Sequence, residues 1–278
     1  MLGKSGLLGS YFSSPYSPSH EELDICSYEA VEKYISELKP DFVINCTGYT
    51  AVDDAEISGT GAFKLNAEAV GKLALFCEKA GSILIHFSTD YVFDGSDENG
   101  YTEDSIPSPV NIYGESKLKG EALVRENAPR HYIIRTSWLF GNPERDFVGT
   151  VLKLAKTRDE LSIVADQIGS PTFAKDLAAA VKKNFIKKSD LPPFGIYHIT
   201  NSGACSWYDF ASEIFKQSNL EIKLHKVTSD AISRPAIRPH YSILRNTKLK
   251  KDLRPWDEAL ADYLSLAKTS ISLFTEDV

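Results

Sequence analysis

Apolar runs of strand length alternate along this chain with longer segments of helical period. "DFVINCTG" (41–48) precedes "AFKLNAEAVGKLALFCEKAG" (62–81), followed by "SILIHFST" (82–89), a helical segment over about 114–127, and "HYIIRTSWLFG" (131–141). Strands joined by crossover helices predict an α/β fold built on a doubly wound parallel sheet. "FVIN", "ILIHF" and "YIIRT" are nearly continuous apolar stretches, which predicts strands covered on both faces. Ligands on such sheets gather at the carboxyl ends of the strands. There the chain exchanges apolar residues for hydroxyls, amides and aromatics, in "NCTGYT", "FSTDYVFDG" and "RTSWLFG".

Past residue 141 the rhythm loosens. Helices are expected near 146–157, 174–187 and 206–217, with "LSIV", a polar "DQIGSPT" (166–172), "GIYHI" (195–199) and an arginine-bearing "SRPAIRPHY" (233–241) around them. The expectation is a dinucleotide-binding domain over 1–141 and a smaller substrate-binding lobe over 142–278, interleaved with the last units of the sheet. A proline-rich loop, "EDSIPSPV" (103–110), fixes the approach to the helix expected from 114.

Composition narrows the function classes. With 278 residues, 42% hydrophobic and 25% charged, the chain can bury a sizeable core. A net charge of -7 and a pI near 5.5 offer no electrostatic footprint for nucleic acid. Cys26, Cys46, Cys77 and Cys205 are scattered, and the six histidines do not approach metal-ligand spacing, so neither a disulfide framework nor a zinc site is indicated. No apolar stretch reaches the roughly 18 residues of a membrane span, and a cytoplasmic location is the default.

Residues 3–9 read "GKSGLLG", whose glycines would let backbone amides approach a pyrophosphate at a helix N-terminus. Such a loop should follow a strand, yet only Met1 and Leu2 precede it, and the next helix and strand are compressed into "SYFSSPYSPSHEEL". The first strand is therefore expected to be truncated, natively or because the reading frame is incomplete.

Tyr113 and Lys117 stand at i, i+4, so a helix would stack them on one face. An ammonium about 4.5 Å from a phenol, at an effective dielectric of about 20, is worth roughly 3.7 kcal/mol and would lower the phenol's pKa by about 2 to 3 units. Ser88 and Thr89, at the end of the neighbouring strand, would present hydroxyls to the same point. A carbonyl held there could be protonated by Tyr113 while a reduced nicotinamide supplied hydride.

These segments, "PDFVINCTGYTAVDDAE", "STDYVFDG", "YGESKLKGE", "RTSWLFG", "DQIGSPT" and "GIYHIT", together closely resemble the dTDP-4-dehydrorhamnose reductase family of extended short-chain dehydrogenases/reductases, over roughly residues 20 to 257. The resemblance implies a Rossmann-like sheet and reduction of the 4-keto group of dTDP-4-dehydro-L-rhamnose by NADPH or NADH. It implies a catalytic Thr89, Tyr113 and Lys117. Cofactor contacts are implied at Gly3, Ser5, Gly6, Leu7, Leu8, Asp24, Ile25, Cys46, Thr47, Gly48, Tyr49, Ser88 and Lys117, and sugar-nucleotide contacts at Thr50, Val52, Asp90, Tyr91, Asn111 and Trp138. It also allows a homodimer with Mg2+ at its interface, although no carboxylate cluster is assigned to that metal.

The residues admit plainer roles. Trp138 suits a core, Asp24 an N-cap for "SYEAVEKYI", and Cys46 a small buried hydrophobe; Arg234 and Arg238 suit either a diphosphate or surface ion pairs. A competing function is a noncatalytic NADP-binding regulatory protein similar to the regulatory subunit of methionine adenosyltransferase. The short N-terminus favours it; the intact Thr89, Tyr113 and Lys117 oppose it.

Overall fold

The computed structural model describes residues 1–186 and 189–270. In chain order its first half contains α1 (Tyr28–Leu38), β1 (Phe42–Asn45), α2 (Val52–Ile57), α3 (Gly59–Phe63), α4 (Ala69–Ala80), β2 (Ile83–Thr89), α5 (Ile112–Asn127), β3 (His131–Thr136) and β4 (Leu139–Phe140). There follow α6 (Phe147–Ala155), β5 (Glu160–Val164), β6 (Ile168–Gly169), β7 (Thr172–Phe173), α7 (Ala174–Phe185), β8 (Gly195–His198), β9 (Cys205–Ser206), α8 (Trp207–Ser218), β10 (Lys223–Val227) and α9 (Trp256–Ser270).

The central sheet runs β1-β2-β3-β8, parallel throughout. Every residue of β3 is buried, as expected for a strand with helices on both faces. Leu84 and Ile133 face a layer built from Val31 and Ile35 of α1, Leu73 and Phe76 of α4 and Val124 of α5. Ile85, Tyr132 and Ile134 face the opposite layer, with Leu177, Val181 and Phe185 of α7. Thus α7 and β8, from the second half of the chain, complete the sheet of the first half.

Beyond β1 the sheet is extended by one residue. The Leu2 amide donates to the Ile44 carbonyl at 2.9 Å, and the Cys46 amide donates to the Leu2 carbonyl at 3.0 Å. The glycine loop then leads into a three-residue 3-10 turn, Gly9–Tyr11, and not into the full helix its pattern predicts. Pro15 and Pro18 follow, each lacking an amide proton and biasing its predecessor toward extended backbone, and residues 12–26 form neither helix nor strand. Within that stretch Asp24 does not cap α1: Ser27 is the N-cap residue, and Asp24 Oδ1 accepts the Cys26 amide at 2.9 Å in a local turn.

The helix expected over 62–81 is interrupted by a π turn, Lys64–Glu68, that directs Asn66 inward. A further core cluster packs Phe140, Phe173, Phe210, Leu260 and Tyr263, and β5 pairs with β10. Helix α9 was not among the elements read from the sequence; the Tyr263 hydroxyl pins it to Asp146 Oδ2 at 2.8 Å. No helix among the described residues is long and apolar enough to cross a membrane.

Candidate active site

Helix α5 starts two residues earlier than expected because Asn111 caps it, its Oδ1 accepting the Gly114 amide at 2.8 Å. Tyr113 is thereby in the first turn and Lys117 one turn below. Gly114 permits the close approach: a Cβ there would lie 2.1 Å from the Tyr91 carbonyl oxygen. The helix settles on the turn after β2, so that the Tyr91 and Tyr113 rings meet edge to face at 5.6 Å. The Thr89 hydroxyl donates to Asp90 Oδ1 at 3.0 Å and accepts the Tyr91 amide at 3.2 Å.

Electrostatics correct one expectation. Burial pushes the Tyr113 phenol up to about 12; a hydrogen bond with Thr89 opposes the rise, and the Asp90 charge adds to it. Lys117 does not acidify the phenol. Its ammonium is itself buried, lowered to about 8 by desolvation against the pull of Glu121, and its Nζ donates to the Phe87 carbonyl at 2.6 Å. Desolvation thus outweighs the attraction inferred from helical spacing. Asp90 is likewise pushed up to about 6 by burial, although Ser242 and Thr89 hydrogen-bond to its carboxylate.

The expected cofactor side is formed by backbone approach. Gly3 has φ +83, and a Cβ on it would lie 2.8 Å from the Cys46 carbonyl carbon; one on Gly9 would lie 1.9 Å from the Gly3 oxygen. Residues 3–9 are therefore interlocked with one another and seated against Cys46 and Thr47. A Cβ on the exposed Gly48 would stand 4.0 Å from Lys117 Nζ, so the ammonium faces the turn that carries Gly48 and Tyr49. Asn66, missed in the sequence, fixes that turn: it accepts the Tyr49 amide at 2.8 Å and donates to the Tyr49 carbonyl and to Ser116 Oγ, both at 3.0 Å. Ser88 Oγ is buried without a hydrogen-bond partner among the described residues. The glycine cradle, this orphan hydroxyl and the spare donors of Lys117 fit a dinucleotide.

Other expected contacts fall differently. Ile25 is in the core against α1, and Leu8 is in the core beneath the sheet, so their side chains pack the fold. The Ser5 carbonyl accepts a bond from Arg145 at 2.9 Å. Burial raises the Cys46 thiol to about 12, in keeping with its reading as a small hydrophobe.

A cleft of about 550 Å³ is lined among others by Tyr91, Phe147, Gln167, Trp207, Arg234 and Arg238. Arg238 pairs with Asp53 through two bonds, 2.7 and 2.9 Å, and Asn111 Nδ2 donates to the Ile237 carbonyl at 2.8 Å; both ties hold the 233–241 segment over α2 and α5. Thr50 is exposed and Val52 half-buried at the start of α2. Asp90 is buried behind Tyr91. Trp138, at φ 46, stacks on Trp207 at 3.5 Å, and it is Trp207 that lines the cleft. Among the described residues no group of three or more His, Cys, Asp or Glu side chains converges, so no side-chain seat for magnesium is found.

Comparison with known proteins identifies the family. The family model described as RmlD substrate binding domain matches residues 2–269. The spore coat polysaccharide biosynthesis protein SpsK of Bacillus subtilis is 42% identical over 87% of this chain and 85% of its own length. A dTDP-4-dehydrorhamnose reductase of Aggregatibacter actinomycetemcomitans is 38% identical over 89% of this chain and 88% of its own. The crystal structure of dTDP-4-dehydrorhamnose reductase from Bacillus anthracis in complex with NADP superposes with a TM-score of 0.91 at 36% identity, covering 95% of this chain and 97% of that one. On a match that runs from Leu2 into α9, this chain belongs to the RmlD substrate-binding-domain family.

Proposed function

We propose that the chain is an NAD(P)H-dependent oxidoreductase that reduces the 4-keto group of dTDP-4-dehydro-L-rhamnose to give dTDP-L-rhamnose, a precursor for polysaccharide biosynthesis. The observation that carries this reading is the meeting of Thr89 and Tyr113 at the end of β2, with Lys117 facing Gly48 on one side and the cleft opening from Tyr91 on the other.

Residues 3–9, the turn of residues 46–49, Ser88 and Lys117 would hold a nicotinamide dinucleotide, NADPH or NADH, which when bound supplies the hydride. Tyr113 holds the proton. A phenol pushed up to about 12 is neutral at physiological pH, the form that can donate to a keto oxygen as negative charge develops there. Asp90 orients Thr89, and the Thr89 hydroxyl in turn partners the phenol. Lys117, mostly protonated at neutral pH, spends one N–H on Phe87 and keeps two for ribose hydroxyls. Arg234, with no ion pair among the described residues, places a cation in the cleft where a diphosphate would lie.

A cytoplasmic enzyme follows from such a substrate, and a homodimer rests on the family resemblance alone. The noncatalytic alternative requires no Thr89–Tyr113–Lys117 constellation. The deciding experiment incubates purified protein with NADPH or NADH and dTDP-4-dehydro-L-rhamnose. Consumption of reduced cofactor matched by dTDP-L-rhamnose supports the reductase; cofactor binding without consumption supports the regulatory alternative.

A further inference from the structure

In a dinucleotide-binding unit the phosphates are normally met by a full helix, whose free amides and dipole favour negative charge. Here the glycine loop leads only into the 3-10 turn Gly9–Tyr11, after which Phe12 is extended. So short a turn carries little dipole, and the carbonyl at its far end, that of Tyr11, is occupied by Lys182 of α7 at 2.8 Å. Positive charge at this loop must come from side chains.

Besides Lys182, two cations touch its neighbourhood. Lys4, within the loop, pairs with Glu22 at 3.5 Å. Arg145 arrives from a segment 140 residues away, and its Nη1 donates to the Ser5 carbonyl at 2.9 Å. It is exposed, and among the described residues it forms no ion pair. The segment that carries it, 141–146, is tied down at both ends. Asp146 Oδ2 accepts the Gly141 and Asn142 amides at 2.8 and 2.9 Å, and its Oδ1 accepts the Gly149 amide at 2.7 Å. Tyr11, at the end of the 3-10 turn, donates its hydroxyl to the Gly141 carbonyl at 2.7 Å. An unpaired guanidinium is thus presented to the phosphate-binding loop on a rigid support, with one N–H engaged and the others free.

We propose that Arg145 is a cofactor-binding residue that clamps the dinucleotide's diphosphate against the glycine loop from the smaller lobe, supplying the charge that a longer helix would supply. The inference rests on the dinucleotide reading above. Arginine suits the role because its planar fork can donate two bonds to a phosphate, which a simple latch on a neutral carbonyl does not require. It also makes the cofactor a bridge between the lobes.

The test is binding, followed as a saturable change in protein fluorescence, with NADPH, NADH and ADP-ribose as probes on wild type, Arg145→Ala, Arg145→Gln and Arg145→Lys. A charge-assisted contact to the diphosphate predicts that Ala and Gln weaken all three probes alike, by roughly tenfold, that Lys recovers part of the loss, and that thermal unfolding without ligand is unchanged. Gln retains a donor for Ser5, so full affinity in that variant would reduce Arg145 to a latch and overturn the clamp. Equal binding by wild type and Arg145→Ala also overturns it, as does a loss confined to NADPH, which would mean contact with the 2′-phosphate instead. If wild type gives no saturable signal with any probe, the dinucleotide reading itself falls and the clamp with it.

Discussion

Lys117 Nζ donates to the Phe87 carbonyl at 2.6 Å, tying α5 to the strand that ends, two residues on, in Thr89. Because this ammonium is desolvated to about 8 while its unfolded value is 10.5, its charge is lost within reach of ordinary assays. The expected outcome is a kcat/KM profile that falls above about pH 8 as Lys117 deprotonates. The sign for stability is opposite. The unfolded chain binds the extra proton between pH 8 and 10.5, so the cost of burying this charge is relieved as pH rises through that window. Lys117→Met should remove the alkaline limb and lower the rate by about 10²-fold; a limb that persists unmoved in the variant would assign it to another group.

Asp90 offers a stability test with its own sign. Its carboxyl titrates near 6 when folded and 3.8 when unfolded, so the folded state holds the extra proton between those values. Its contribution therefore becomes unfavourable as pH rises from about 4 to 6, reaching about 3 kcal/mol for a shift of roughly two units. Urea denaturation should show Asp90→Asn gaining up to about that much over wild type at pH 7 and little at pH 4. Equal gains at both pH values would rule out ionisation as the cause.

Gly114→Ala tests how α5 is seated. Its new Cβ would lie 2.1 Å from the Tyr91 backbone oxygen, where no flexible side chain can yield. Loss of about 1–3 kcal/mol in stability is expected, with a larger proportional loss of turnover because Tyr113 moves with the helix. Full turnover in a destabilised variant would show that the seating is structural only.

Much of the sheet was legible because "FVIN", "ILIHF" and "YIIRT" carry a nearly continuous apolar signal, as strands covered on both faces need. The convergence of Thr89 and Tyr113 followed from strand-end and helix-start logic. Proximity is readable from spacing, but desolvation is not, and the acidified phenol expected from Lys117 failed for that reason. The π turn at Asn66 was hidden because its segment, Lys64–Glu68, carries no glycine or proline to mark a break in the helical pattern. Helix α9 could have been found: Trp256, Ala259, Leu260, Tyr263 and Leu264 form an i, i+3, i+4, i+7, i+8 stripe. Arg145 could not, since nothing local links it to Ser5 across 140 residues.

Arg234→Ala tests the substrate side. The cleft keeps Arg238 tied to Asp53, leaving Arg234 as the cation available to a sugar-nucleotide diphosphate. An approximately tenfold rise in KM for the nucleotide sugar is expected, with kcat and NADPH affinity unchanged. An equal effect on NADPH affinity would place Arg234 elsewhere.

The most direct measurement is turnover of Tyr113→Phe, which removes one oxygen from a residue already packed on Tyr91. Rate of NADPH consumption with dTDP-4-dehydro-L-rhamnose should fall at least about 10²-fold while NADPH still binds and the unfolding temperature is preserved. A rate equal to wild type would contradict the assignment of the proton to Tyr113.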